Sequence, residues 1–192
     1  LASTSPYRRE LLARTGISFE CLPPGVDETR LAGESARDFP ARLAREKARA
    51  IALQRPDAWV IGSDQVAILR EATAAERLLG KPGTAARCIE QLRACSGQTL
   101  TFATGVAVVR DADASLIEFT DLTAVTFRTL DDASIERYVS LEAPLDCAGG
   151  FKSEGLGITL CATIESTDPT ALIGLPLIRL CAALRSAGYQ LP

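Results

Sequence analysis

Histidine and methionine are both absent from the 192 residues. Without histidine there is no Ser–His or Cys–His nucleophile, no imidazole base and no His-ligated zinc site. With no Met to start it, the chain is expected to begin downstream of the native first residue. Lysine is scarce, with only Lys47, Lys81 and Lys152 among 21 basic residues. No apolar run approaches the about 18–20 residues that cross a bilayer, so no membrane association is expected. No secretory leader pattern opens the chain. A formal charge of −3 does not provide the basic surface of a nucleic-acid binder, so no nucleic-acid polymer is expected as a partner. The six cysteines form no C-x-x-C pair, which leaves no zinc or iron–sulfur spacing. Cys88 and Cys95, seven apart on a helix, read as small buried hydrophobes, and the set as reduced thiols of a cytoplasmic protein.

What is present fits one globular domain over residues 1–192, with 47% hydrophobic and 23% charged residues. Leu1-Ala2-Ser3 reads as the end of a buried strand. Ser5 as N-cap and Pro6 at the first helical position open a helix that closes at Gly16. Residues 17–22 alternate as a strand, and Ser35 with Asp38 starts a helix running to about Gln54. A short strand over 58–62 ends in Ser63-Asp64-Gln65, followed by a polar loop over 70–83 and a helix over 84–95. Strands over 100–109 and 116–128 form an antiparallel hairpin through Asp111-Ala112-Asp113. A helix over 131–141, a glycine-rich loop over 149–157, a strand over 158–164 and a helix over 169–186 follow. Interleaved helices and strands with one hairpin predict an α/β fold with a mixed sheet.

Chemistry concentrates at a few places. Arg8 and Arg9 sit in the first turn of a helix, where the macrodipole disfavours cations unless an anion binds among them. Asp27-Glu28 and Asp64 are read as carboxylates on loops just past strand ends, placed to hold Mg²⁺ or Mn²⁺ against a polyphosphate. With neither His nor paired Cys, oxygen ligands are the available ones. Lys is a compact point charge that reaches a single phosphate oxygen where the planar Arg fork does not fit. Lys152 and Glu154 stand two apart beside glycines, on one side of an extended segment. They either read a base edge or pair with each other. Gly174-Leu175-Pro176 reads as a kink inside the last helix, a packing feature.

Taken together, Leu1 to Leu12, Val26-Asp27-Glu28, Glu46-Lys47-Ala48, Gly62-Ser63-Asp64-Gln65, Gly80-Lys81-Pro82 and Gly174-Leu175-Pro176-Leu177 resemble the Maf-type nucleotide pyrophosphatases. Asp64-Gln65 and the stretch from Cys147 to Ile158 are similar to the YceF-like subgroup, whose members hydrolyse 7-methyl-GTP. Tyr7 departs from the Trp usual there. The resemblance implies a single α/β domain with an elongated mixed sheet, a deep substrate cleft and a homodimer. It also implies a divalent metal and hydrolysis of a nucleoside triphosphate to monophosphate and pyrophosphate. On it, Asp64, Lys81 and Lys47 are the expected catalytic residues. Ser3, Tyr7, Arg8, Arg9, Gln65, Lys152 and Glu154 are the expected substrate contacts, and Glu28 and Asp64 the expected metal ligands. Whether Asp64 is base, ligand or both stays open. Two alternatives stand beside this: a dTTP/UTP pyrophosphatase of the same family, and a non-enzymatic regulator of cell division or septum formation.

Overall fold

A computed structural model describes residues 1–70 and 75–192. In chain order the elements are α1 (Pro6–Ala13), α2 (Asp38–Ala52), β1 (Val60–Arg70), β2 (Glu76–Leu79), α3 (Ala85–Cys95), β3 (Thr99–Arg110), β4 (Ser115–Phe127), α4 (Asp132–Glu142), β5 (Cys161–Glu165) and α5 (Leu177–Ser186). The sheet order is β2-β1-β3-β4-β5. β1/β2 and β4/β5 pair antiparallel, and the short connection after Arg110 makes β3/β4 a hairpin. The five-stranded sheet is antiparallel rather than mixed as expected, and the parallel pairing seen is an isolated bridge between Ala2 and Gly62. No helix among the described residues is long and apolar enough to cross a membrane.

The α/β expectation holds, with four differences in detail. Residues 17–22 form no strand, although Leu1 donates to Glu20 O and Leu22 donates to Leu1 O beside them. β1 does not stop at Gly62 but runs on through Ser63, Asp64 and Gln65, so Asp64 lies inside a strand and not on a loop past its end. The last helix starts at Leu177, because Gly174 adopts the left-handed region at φ 115° before Pro176. Of the polar loop expected over 70–83, residues 76–79 are β2, and residues 71–74 lie outside the described residues.

By contact the chain divides into two compact units. The first comprises Leu1–Gln65, Thr104–Asp121 and Asp168–Pro192. Its strand segments bury both faces through the period-2 alternation of side chains. Ile61, Val106 and Val108 join Leu11 and Leu12 of α1 and Leu180 and Leu184 of α5. Val60, Ala107 and Val109 instead join Ala44, Ala48 and Ile51 of α2. Two glycines let α2 approach this closely. A Cβ on Gly62 would stand 2.1 Å from Ala44 O, and one on Gly105 would stand 2.5 Å from Pro40 O. At the helix starts, Ser5 Oγ accepts from Arg8 N at 3.4 Å, and Ser35 Oγ accepts from Asp38 N at 3.0 Å.

The second unit comprises Val66–Ala103 and Leu122–Thr167. Its core includes Cys88, Leu92 and Cys95 of α3 and Ile135, Tyr138 and Val139 of α4. Phe151 packs edge-on to Phe127 at 5.2 Å and tilted to Phe102 at 5.9 Å between ring centres. All six cysteines are free thiols. Burial pushes the Cys88 thiol up to about 11 and that of Cys95 up to about 12, so both stay protonated near neutral pH.

Candidate functional site

Strand β1 decides where the chemistry of the first unit goes. Gly62 and Asp64 share the face covered by α2, while Ser63 and Gln65 point to the other. Lys47, on the buried face of α2, therefore meets Asp64: its Nζ donates to Asp64 Oδ1 at 2.7 Å. Glu28 Oε1 lies 2.6 Å from the same Nζ. Lys47 is 5% exposed and Asp64 8%, so that pair lies largely out of solvent, while the ammonium also reaches the mostly exposed Glu28 carboxylate. Asp64 Oδ2 accepts no hydrogen bond from the described residues.

The irregular segment that carries Glu28 is pinned by Arg42. The guanidinium grips both Glu34 oxygens at 2.6 and 3.0 Å, Glu46 at 2.9 Å and the Thr29 carbonyl at 3.0 Å. Asp27 does not turn toward Lys47 but accepts from the Thr29 hydroxyl and backbone, which hold its carboxyl below the usual range.

On the opposite face, Ser63 Oγ and Arg8 Nε both donate to Gly174 O at 2.9 Å. Burial lowers the affinity of Arg8 for its proton, and the fields of Asp64 and Glu28 oppose that shift. A guanidinium keeps its charge through such a change. Its Nη1 and Nη2 donate to no described residue. Gln65 Nε2 donates to Thr104 Oγ1, Ala171 O and Leu172 O at 2.9–3.0 Å. Buried Ser3 accepts from Ser5 N at 3.1 Å and so braces the entry to α1. Tyr7 is half-buried, and Arg9 is exposed without a side-chain partner among the described residues.

In the second unit, Lys81 is exposed in the turn after β2. The Lys152–Glu154 pair does not form. Lys152 Nζ donates to Glu142 Oε1 at 2.8 Å, Glu142 Oε2 accepts from Leu156 N at 2.7 Å, and Lys152 N donates to the Tyr138 hydroxyl. These two donors hold the Glu142 carboxyl below its ordinary range. Glu154 stays exposed, its carboxylate accepting from the adjacent Ser153 hydroxyl at 3.3 Å.

Sequence reading brought Lys47, Glu28 and Asp64 onto the page but not their mutual contact. It missed Ser63, Thr104 and Glu142, and it read Gly174 as a kink when its carbonyl is the shared acceptor for Arg8 and Ser63. A glycine two residues before a proline was the available signal that a helix stops there. No group of three His, Cys, Asp or Glu side chains with metal-ligand geometry occurs among the described residues. The donors that do converge, Glu28 and Asp64, are hard carboxylates of the type that binds Mg²⁺ with phosphate oxygens and water completing the shell. A cavity of about 600 Å³, lined by Ile17, Phe19, Trp59, Leu184 and Tyr189 among others, lies elsewhere in the first unit and includes none of these side chains.

A family model described as Maf-like protein matches residues 1–187. A "7-methyl-GTP pyrophosphatase" of Alkalilimnicola ehrlichii is 55% identical over 191 residues, covering 100% of this chain and 94% of the relative. Proteins of the same name from a Polaromonas species and from Pseudomonas aeruginosa are 54% and 48% identical. Both alignments cover 100% of this chain, with 85% and 97% of the respective relatives.

Proposed function

The chain belongs to the Maf-like protein family, and on that footing we propose that it hydrolyses the α–β phosphoanhydride of 7-methyl-GTP to 7-methyl-GMP and pyrophosphate, clearing a modified nucleotide. The observation that carries the reading is the buried Lys47 held between Glu28 and Asp64. Phosphoanhydride cleavage needs neutralised phosphates and an aligned water, with no covalent nucleophile. In a chain without histidine, a carboxylate such as Asp64 is assigned as the proton acceptor.

Glu28 and Asp64 would hold a divalent cation, Mg²⁺ or Mn²⁺, which when bound neutralises phosphate charge. Asp64 uses Oδ1 on Lys47 and keeps Oδ2 to accept the proton of the attacking water. Lys47 fixes the two carboxylates in place. Arg8 spends Nε on Gly174 and turns its remaining donors to phosphate oxygens, while Arg9 and Lys81 add exposed positive charge. Tyr7 and Glu154 are assigned the methylated base, whose formal positive charge favours an aromatic face and a carboxylate. Lys152 and Gln65 keep their assignment as substrate contacts, with Lys152 Nζ and Gln65 Nε2 also braced within the protein. The proposal takes residues 1–192 as one catalytic domain of a cytoplasmic homodimer.

Pyrophosphate release from a nucleotide panel with Mg²⁺ or Mn²⁺ tests the reading. The expected result is the highest kcat/KM with 7-methyl-GTP and no turnover in excess EDTA. Preference for dTTP or UTP would overturn the substrate, full turnover in EDTA would overturn the metal, and no hydrolysis of any nucleotide would overturn the enzyme.

A further inference from the structure

The turn between Asp168 and Ile178 in the first unit carries a dense polar network around Asp168. Asp168 is 1% exposed. Its Oδ1 accepts from Thr170 N at 2.9 Å and Thr170 Oγ1 at 2.7 Å, while Oδ2 accepts from Ile178 N at 2.7 Å. One carboxylate thus clamps both ends of the turn. The Thr170 hydroxyl also accepts from Leu177 N at 2.8 Å. Between them, Asp168 and Thr170 satisfy the first two N–H groups of α5, which Pro176 at the N-cap has no side-chain oxygen to serve.

The carbonyls of the same turn face the candidate site residues. Gly174 O receives Arg8 Nε and Ser63 Oγ, Ala171 O receives Gln65 Nε2 and Thr104 Oγ1, and Leu172 O receives Gln65 Nε2. The approach of Arg8 is close: a Cβ at Gly174 would stand 3.3 Å from Arg8 Nε, at a backbone angle that side chains rarely adopt. The donors on Arg8 reach in a direction set by where Gly174 O is, and Gly174 O is where the clamp holds the turn.

We propose that Asp168 is a positioning residue: by clamping the 168–178 turn it aims the Gly174 carbonyl, and through it the Arg8 guanidinium, at the phosphates. This rests on the pyrophosphatase reading for the role of Arg8, but the geometry it asserts can be measured without substrate. In Asp168→Asn one of the two carboxylate oxygens becomes an NH₂ group, which faces an N–H or hydroxyl donor and cannot accept from it. The turn then loses one end of its clamp while keeping the size of the residue.

The test uses ¹⁵N-arginine-labelled protein, with the Arg8 Nε–H signal identified by its loss in Arg8→Lys. The expected result is a slowly exchanging Nε–H in the wild type whose exchange with water is at least about tenfold faster in Asp168→Asn. kcat/KM is expected to fall about tenfold in Asp168→Asn on the wild-type background and less than about twofold on the Arg8→Lys background. An unchanged Arg8 signal, or the same activity loss on both backgrounds, would show Asp168 to be a cap for α5 only and overturn the proposal. If Asp168→Asn does not fold, Thr170→Val removes one clamp donor and one cap acceptor and is read in the same two ways. A wild type that hydrolyses no nucleotide defeats the pyrophosphatase reading, while the exchange measurement still decides the positioning.

Discussion

Two lysines of this protein are engaged with glutamate or aspartate inside the fold, and the difference between them separates chemistry from scaffolding. Lys152 Nζ donates to Glu142, and Glu142 spends its other oxygen on the Leu156 backbone. Charges match and both carboxylate oxygens are used. Lys47 meets two carboxylates, and Asp64 keeps an oxygen without a hydrogen bond from the described residues. Burial penalises unmatched charge and unfilled lone pairs alike. A site that tolerates both has spare capacity for a cation, a phosphate group or a proton. The lesson is to count acceptors against donors around a buried cation, not merely to note an ion pair.

The sharpest way to break this comparison is Asp64→Asn. An amide retains the size but cannot take a proton, and turnover is expected to fall between about 10² and 10⁴-fold. The protein should still fold, with a smaller loss of stability than Lys47→Ala, because Glu28 still pairs with Lys47 and the amide oxygen can still accept from it. Substantial residual turnover would move the proton acceptor elsewhere.

Lys47→Ala comes next. It leaves two carboxylates facing each other without their ammonium. The expected destabilisation is about 3 kcal/mol, the low end for breaking a buried pair, because the Glu28 side chain is 61% exposed. Urea unfolding at equilibrium measures it, and a loss under about 1 kcal/mol would show that the cluster is solvated.

A smaller effect is expected for Glu154→Ala, which removes an exposed carboxylate and should leave stability unchanged. The ratio of kcat/KM for 7-methyl-GTP over GTP should shrink about three- to tenfold. Equal losses with both nucleotides would take Glu154 out of base selection.

Glu142→Gln should have the least effect on turnover, with kcat within about threefold of the wild type. The pairing with Lys152 and Leu156 depresses the folded-state pKa of Glu142, so its contribution to stability is present above the unfolded value near about 4.3. It is lost as pH falls through the folded value. The stability gap between wild type and Glu142→Gln should therefore close on acidification below about pH 4, as read by urea midpoints. A gap constant over that range would mean that shape, not charge, holds the loop.

Much of the fold was legible because its signals are local. Ser5-Pro6 marks the start of α1, Thr84 and Asp131 accept from the first turns of α3 and α4, and the alternation through β3 and β4 marks a hairpin. Ser63-Asp64-Gln65 was misread as a loop for a physical reason. Three polar residues in a row argue against a buried strand unless each has a partner. Those partners come from α2, from the turn after Thr170 and from Thr104, all distant in sequence. Lys152 and Glu154, near in sequence, read either as a base-edge reader or as partners of each other, but it is Glu142 of α4 that accepts from Lys152.

By itself the sequence determined the class of chemistry. With no histidine and no metal-spaced cysteine, imidazole bases and His- or Cys-ligated metal sites are excluded, and the motifs put forward carboxylates, lysines and arginines for protons and phosphates. It also determined the candidate residues and the order of most elements, because caps, turns and periodicity are written in short spans of chain. The tertiary structure alone decided which groups act on one another. Strand alternation sends Asp64 to the α2 face and Ser63 and Gln65 to the opposite one. Close packing at Gly62 and Gly105 brings α2 near enough for Lys47 to reach Asp64. Those outcomes depend on contacts between residues tens of positions apart, whose distances no local pattern encodes.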